Sequence, residues 1–133
     1  MIVIKKPIIL DLDETLILAS YQELDGLPMV AKRRYHCLYH RPGLKLFLNF
    51  LEKSKRDIFF YTSAKADYAR WVIKTLPLEG AYPLYTRKST MRKETECGEE
   101  YIKSVESIKE LAGFRGIIPV LDDKPQLWLP NDQ

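Results

Sequence analysis

The stretch Ile8-Ile9-Leu10-Asp11-Leu12-Asp13-Glu14-Thr15-Leu16 joins an unbroken apolar run to two carboxylates and a hydroxyl. Such a run reads as a strand buried on both faces, the kind found in parallel sheets. Asp11 then stands at the carboxyl end of that strand, where open α/β sheets place their ligands. Side chains of an extended chain alternate, so Asp11 and Asp13 can point the same way. Two like charges that close are unfavourable unless a cation or a proton lies between them. This is the chemistry of an active site.

Downstream, helical and extended patterns alternate. Leu44, Phe47, Leu48 and Leu51 fall at i, i+3, i+4 and i+7 and predict an amphipathic helix after Pro42-Gly43. Asp57-Ile58-Phe59-Phe60-Tyr61 reads as a second buried strand running into Thr62-Ser63, with Ser63 a plausible N-cap. Ala69, Val72, Ile73 and Leu76 line one face of the helix that follows, and Pro77 stops it. A short third strand is expected within Tyr82–Thr86, and a third helix on Val105, Ile108, Leu111 and Ala112 with Gly113 as its C-cap. Gly116–Leu121 is the fourth strand, again ending in carboxylates, Asp122 and Asp123.

This alternation predicts an α/β fold, a Rossmann-like parallel sheet of about four strands with flanking helices. Residues 2–11 hold one or two extended pieces, with Pro7 outside the buried run. Leu16–His40 suits a small β-flap over the site. In a parallel sheet the ends of three strands lie on one edge and bring together Asp11, Asp13, Thr62, Asp122 and Asp123.

The totals bound the rest. With 133 residues, 46% hydrophobic and 29% charged, one domain spanning 1–133 is expected. No apolar run approaches the ~20 residues that cross a bilayer, and Ile2-Val3-Ile4 before Lys5-Lys6 is too short for a signal core. A cytoplasmic protein without membrane association is expected. A net charge of +3 suits anionic substrates, and nucleic acid, though possible, is not indicated by it. His36, Cys37, His40 and Cys97 supply half of a zinc pattern, and ordinary reduced thiols are the favoured reading. Lys32-Arg33-Arg34 reads as a solvated strand edge, and Arg87, Lys88, Arg92 and Lys93 as a basic loop. Both segments are candidates for substrate recognition.

Converging carboxylates suit Mg²⁺, which binds a few carboxylates, waters and phosphate oxygens. With a cation present, Asp11 can approach a phosphate dianion and attack phosphorus. Asp13, its pKa raised by neighbouring carboxylates, can protonate the leaving oxygen and later deprotonate water. Thr62 Oγ, with Ser63 and backbone N–H groups at a helix start, can hold the phosphoryl oxygens. A lysine completes the charge balance. Thr15 braces the turn after the nucleophile, and Trp71 and Trp128 read as core and rim.

Asp11-Leu12-Asp13-Glu14-Thr15-Leu16 resembles the first motif of the haloacid dehalogenase (HAD) superfamily of aspartate-nucleophile phosphatases. Arg41-Pro42-Gly43-Leu44 with Phe47-Leu48, and Phe60-Tyr61-Thr62-Ser63-Ala64 with Tyr68-Ala69, resemble its NLI-interacting-factor-like branch. That branch includes the small RNA polymerase C-terminal-domain phosphatases. Cys97–Lys103 and Asp122-Asp123-Lys124-Pro125 extend the resemblance over nearly the whole chain.

The resemblance implies Asp11 as nucleophile, Asp13 as general acid/base and Thr62 as the second-motif hydroxyl. It implies Mg²⁺ held by Asp11, the Asp13 main-chain carbonyl and Asp122, with Asp123 nearby. Tyr101-Ile102-Lys103 supplies the motif lysine; Lys109 is the alternative, with a solvent-facing helix position as its simpler reading. The implied function is a Mg²⁺-dependent phosphomonoester phosphatase with an aspartyl-phosphate intermediate. No large cap separates the motifs, so a phosphorylated protein or other accessible phosphate is the expected substrate. A small-metabolite or nucleic-acid-end phosphatase, and a catalytically inactive binding module of the same fold, are the rival readings.

Relatives usually continue past the last motif with another strand and helix, and Pro119 interrupts the fourth strand. Both features predict that this strand is the edge of a four-stranded sheet, with Pro119 blunting it. Pairing of Pro119 on both sides would refute that.

Overall fold

In the computed structural model, which describes residues 3–130, the opening run becomes β1 (Pro7–Leu10) at the interior of a parallel sheet. Its partners are β5 (Asp57–Tyr61), in register Ile8 to Ile58 and Leu10 to Phe60, and β9 (Val120–Leu121) on the other side. A two-residue strand, β6 (Leu84–Tyr85), adds to β5, so the order is β6-β5-β1-β9.

Period-two alternation along β1 and β5 divides the core between two faces. Ile8, Leu10, Ile58 and Phe60 pack on Leu44, Leu48 and Leu51 of α1 (Leu44–Lys53) and on Ala69 and Val72 of α2 (Ala66–Thr75). Ile9, Phe59 and Tyr61 turn to the other face and meet Ile108, Leu111 and Trp128. Each fully buried aliphatic or aromatic side chain contributes about 1.5–3 kcal/mol. Both helices thus present the apolar faces that their spacing predicts.

The flap is a three-stranded antiparallel sheet of β2 (Ile17–Ser20), β3 (Ala31–Arg33) and β4 (His36–His40), in the order β2-β4-β3. Lys32 and Arg33 lie on its edge strand β3 and, with Arg34, are exposed, as the solvated-edge reading expects. Between β6 and β9 stands a charged hairpin, β7 (Met91–Thr95) and β8 (Gly98–Ile102), turning at Glu96-Cys97.

β9 is an edge strand of this sheet among the described residues. Pro119 precedes it and joins the sheet on one side, its carbonyl accepting from Ile9 N–H at 3.0 Å. The strand is shorter than Gly116–Leu121, because residues 116–119 carry no regular structure.

Five local expectations are corrected. Pro7 lies inside β1 and is buried; as the strand's first residue it needs no ladder donor. Of the earlier extended piece, Ile2 lies outside the described residues and Val3–Ile4 form no strand. Ser63 does not cap α2, which starts later with Lys65 at the N-cap. The third helix is two 3₁₀ turns, Val105–Ser107 and Lys109–Leu111. The apolar residues 105, 108 and 111 recur every three positions, which is the 3₁₀ period, and Ile108 and Leu111 donate three residues back, to Val105 and Ile108. Finally, the basic stretch expected as a loop is partly a 3₁₀ turn (Arg87–Ser89) and partly strand β7.

Candidate active site

Three of the four parallel strands deliver one member of the site just past their carboxyl ends. Asp11 follows β1, and its N–H donates to the Leu121 carbonyl at 2.9 Å. Thr62 follows β5, its N–H donating to the Tyr85 carbonyl at 2.9 Å. Asp122 follows β9. Backbone pairing therefore sets their spacing, and the side chains converge over the sheet edge.

Asp11, Asp13, Thr62, Ser63, Lys103, Asp122 and Asp123 line one hollow of about 50 Å³. Lys103 is its electrostatic centre. Its ammonium donates to Asp11 Oδ1 at 3.1 Å and to Asp122 Oδ2 at 2.6 Å, in a side chain 6% exposed. Lys109 is exposed on the second 3₁₀ turn. Of the two lysines, Lys103 is the one that lies in the hollow. Its backbone is held by a two-way bridge to the C-terminal segment: its N–H donates to Leu127 O (2.8 Å) and its carbonyl accepts from Leu129 N–H (3.0 Å).

Burial pushes the Asp11 carboxyl up to about 7, with Lys103 opposing and Asp122 reinforcing the rise. Burial also raises Asp13, against the hydrogen bond from Tyr68. Removing a carboxylate from water disfavours its charged form. The two aspartates differ in their partners: Asp11 faces the lysine, whereas Asp13 Oδ1 accepts from the Tyr68 hydroxyl at 2.5 Å.

The turn after Asp13 is tightly specified. Glu14 sits in the left-handed region (φ 62°), an uncommon place for a side chain with a Cβ. Arg41 Nε donates to Thr15 O at 2.6 Å and so ties this turn to the start of α1. Gly43, at φ 83°, makes the reversal from Arg41 into that helix. Thr15 is thereby directed back at the site, its hydroxyl donating to Asp11 Oδ2 and accepting from Asp123 N–H, both at 3.1 Å. The bracing role read for Thr15 extends to orienting the carboxylates. Thr62 Oγ accepts from Ala64 N–H at 3.1 Å, which leaves its hydroxyl hydrogen to be donated elsewhere.

Carboxylate oxygens of Asp11, Asp122 and Asp123 lie within 4.8 Å of one another, the one such group of potential metal ligands among the described residues. An all-oxygen, anionic donor set fits a hard cation such as Mg²⁺. The Asp13 carboxyl lies outside this group. His36, Cys37, His40 and Cys97 do not gather: Cys37 is buried in the flap opposite Ser20, and Cys97 is exposed at the hairpin turn.

The sequence profile of the NLI interacting factor-like phosphatases matches residues 6–133. The chain belongs to that family. No curated protein matches it at a significant level. Among solved structures, the chain is similar to "Fcp1, an essential RNA polymerase II CTD phosphatase", with a TM-score of 0.65 at 20% identity over 93% of this chain and 39% of that one. It is similar also to a variant of fission yeast Fcp1 bound to beryllium fluoride, with a TM-score of 0.60 at 18% identity over 93% and 38%. The likeness bears out the α/β fold, and among the described residues no large cap separates the motifs. The chain spans about two fifths of the length of those solved chains.

Four residues of this family member serve the site without having been assigned to it from sequence. Besides Arg41 and Tyr68, Trp128 Nε1 donates to Asp122 Oδ2 at 3.0 Å while its ring packs edge-on to Tyr61. The Tyr61 hydroxyl donates to Ser89 O at 2.5 Å and accepts from Ser104 N–H at 3.2 Å, which joins β5 to the segment after Lys103. Arg41 and Tyr68 fall inside the motifs quoted above, and that was the signal available for them. Trp128 carried none beyond its size.

Proposed function

We propose that this chain is a Mg²⁺-dependent phosphomonoester phosphatase that works through an aspartyl phosphate on Asp11, with phosphoserine or phosphothreonine of a protein as substrate. One observation carries the reading: Lys103, buried, bonds both to the strand-end aspartate Asp11 and to Asp122, beside Thr62 and Asp13 in one hollow.

Asp11, Asp122, Asp123 and the main-chain carbonyl of Asp13 would hold Mg²⁺. When bound, the cation supplies the positive charge that lets a phosphate dianion approach a carboxylate. The residues do the rest. Lys103 and Thr62, with Ser63 beside it, bind the phosphoryl oxygens. An Asp11 carboxylate oxygen attacks phosphorus; the P–O bond to the substrate breaks with its electron pair on the leaving oxygen, which takes a proton from Asp13. Asp13, now a carboxylate, takes a proton from water as that water attacks phosphorus. Inorganic phosphate forms, Asp11 is released as a carboxylate, and Asp13 is again protonated. Burial, which raises Asp13, suits it to hold that proton.

The hollow is flanked by two larger clefts, of about 470 and 420 Å³, that share Asp122, Asp123 and Asp13 with it. A phosphorylated side chain on a larger molecule can enter from such ground, and this supports a protein substrate over a small metabolite. Arg87, whose Nε donates to Ser63 O at 2.8 Å, stands at the margin of the 420 Å³ cleft, and Lys32–Arg34 lie on the flap. Hydrolysis of p-nitrophenyl phosphate with Mg²⁺, with chelator, and by Asp11→Asn tests the mechanism. Activity is expected only in the first. Turnover by Asp11→Asn would refute the nucleophile, and inactivity throughout would favour a binding module.

A further inference from the structure

The Asp13 carboxyl is met from across the chain. Tyr68, on the first turn of α2 and 55 residues away, donates to its Oδ1 at 2.5 Å. The phenol ring is held in place by His36 of the flap (centroids 5.1 Å apart) and by Trp71 (5.9 Å). A phenol keeps its proton at neutral pH, and so Tyr68 acts as the donor.

A carboxyl group has two oxygens, and a donor on one of them decides what the other can do. With Oδ1 accepting from Tyr68, the acidic hydrogen belongs on Oδ2 and rotation about the carboxyl bond is restrained. Asp13 lines both the small hollow and the 420 Å³ cleft, whereas Tyr68 lines only the cleft. The bond therefore reaches Asp13 from the cleft, and Oδ2 is the oxygen that it leaves for the proton.

We propose that Tyr68 is a positioning residue for Asp13 and that it sets how well the enzyme handles alkyl leaving groups. The inference rests on the general-acid role given to Asp13 above. A serine or threonine alkoxide departs only as it gains a proton, whereas a nitrophenolate leaves unassisted. Misorienting the acid thus harms the first and spares the second. One hydrogen bond to a charged or acidic group corresponds to roughly ten- to a hundredfold in rate.

The test compares kcat/KM of the 133-residue chain, with Mg²⁺, on a phosphoserine peptide and on p-nitrophenyl phosphate. Tyr68→Phe keeps the ring and its packing. It is expected to lose roughly ten- to a hundredfold on the peptide and less than about threefold on the aryl ester. Trp71→Phe disturbs the packing but keeps the hydroxyl, and the ratio of the two rates should hold. Asp13→Asn should lose at least as much on the peptide as Tyr68→Phe. Tyr68→Phe losing equally on both substrates, or on neither, overturns the proposal while a crippled Asp13→Asn leaves the general-acid reading standing. Unimpaired peptide turnover by Asp13→Asn overturns that reading, and this inference with it.

Discussion

Lys103→Met removes an ammonium held between two buried carboxylates while keeping most of the side-chain volume. Two contacts, at 3.1 and 2.6 Å, are lost at a site whose side chains are 6–9% exposed. At an effective dielectric near 20, each such pair attracts by about 4 kcal/mol, against a cost of several kcal/mol for burying the ammonium. The substitution therefore costs about 3–5 kcal/mol, the range for breaking a buried pair and stranding its partner. At this chain length that is about 11–18 °C in Tm.

The loss should depend on pH. Asp11 is pushed up from 3.8 to about 7 in the folded protein. Between those values the folded state binds a proton that the unfolded state has released. This group's penalty is thus full above pH 7, is relieved as pH falls through 7, and is gone below 3.8. Without Lys103 the carboxylate has less opposing it and rises further, so the variant should be weakest at pH 8 and recover much of its deficit at pH 5.5. Urea unfolding of metal-free protein at both pH values reads this directly. A deficit below about 1 kcal/mol at pH 8, as for an exposed pair, or one identical at pH 5.5, would refute the compensating role of the lysine.

Thr15→Val keeps the shape but leaves Asp11 Oδ2 and the Asp123 N–H without the bonds they now have, both at 3.1 Å. It should cost about 1–2 kcal/mol in urea unfolding and weaken Mg²⁺ binding by calorimetry; no change in either measurement would show that the turn holds itself. Glu52, at the end of α1, accepts from Gly80 N–H (2.9 Å), the Tyr82 hydroxyl (2.7 Å) and Glu79 N–H (3.1 Å). Partial burial alone would raise its carboxyl, but these donors outweigh that and hold it below its ordinary value. Its contribution is therefore present above the unfolded value of 4.5 and lost as pH falls through the lower folded value. Glu52→Gln, discounted for exposure, should cost about 1 kcal/mol at pH 7 and little at pH 3; an equal cost at both would sink the argument.

Much of the fold was legible because two physical signals were strong. The apolar runs of β1 and β5 are buried on both faces and lack the polar alternation of a solvated strand, and the two helices carry clean apolar stripes. Pro119 added the position of the edge. The β7–β8 hairpin was invisible for the opposite reason. Its strands, Met-Arg-Lys-Glu-Thr and Gly-Glu-Glu-Tyr-Ile, bury little, and pairing rests on backbone bonds and on the cross-strand contact of Arg92 with Glu99. Hydrophobic periodicity does not register a strand that has no apolar face.

The site divides along the same line. Residues that a strand end delivers (Asp11, Thr62, Asp122) combine unusual chemistry with a position that topology makes common, so type and place reinforce each other. Lys103 has the chemistry but reaches the hollow through the hairpin and the Leu127–Leu129 bridge, and sequence left Lys109 beside it as an alternative. Trp128 is the instructive case. With Trp71 it was read as core and rim; it packs with Tyr61, Phe59 and Ile108, yet the same indole holds Asp122 by its N–H. Burial explains a tryptophan completely at the level of residue type, and nothing remains in the letter to signal the polar edge. Such residues pass for core until a distance shows which polar atom they hold. The supports of a strand-end site are thus hidden where they are best packed, and Tyr68, half-buried between flap and helix with its hydroxyl on Asp13, belongs with them.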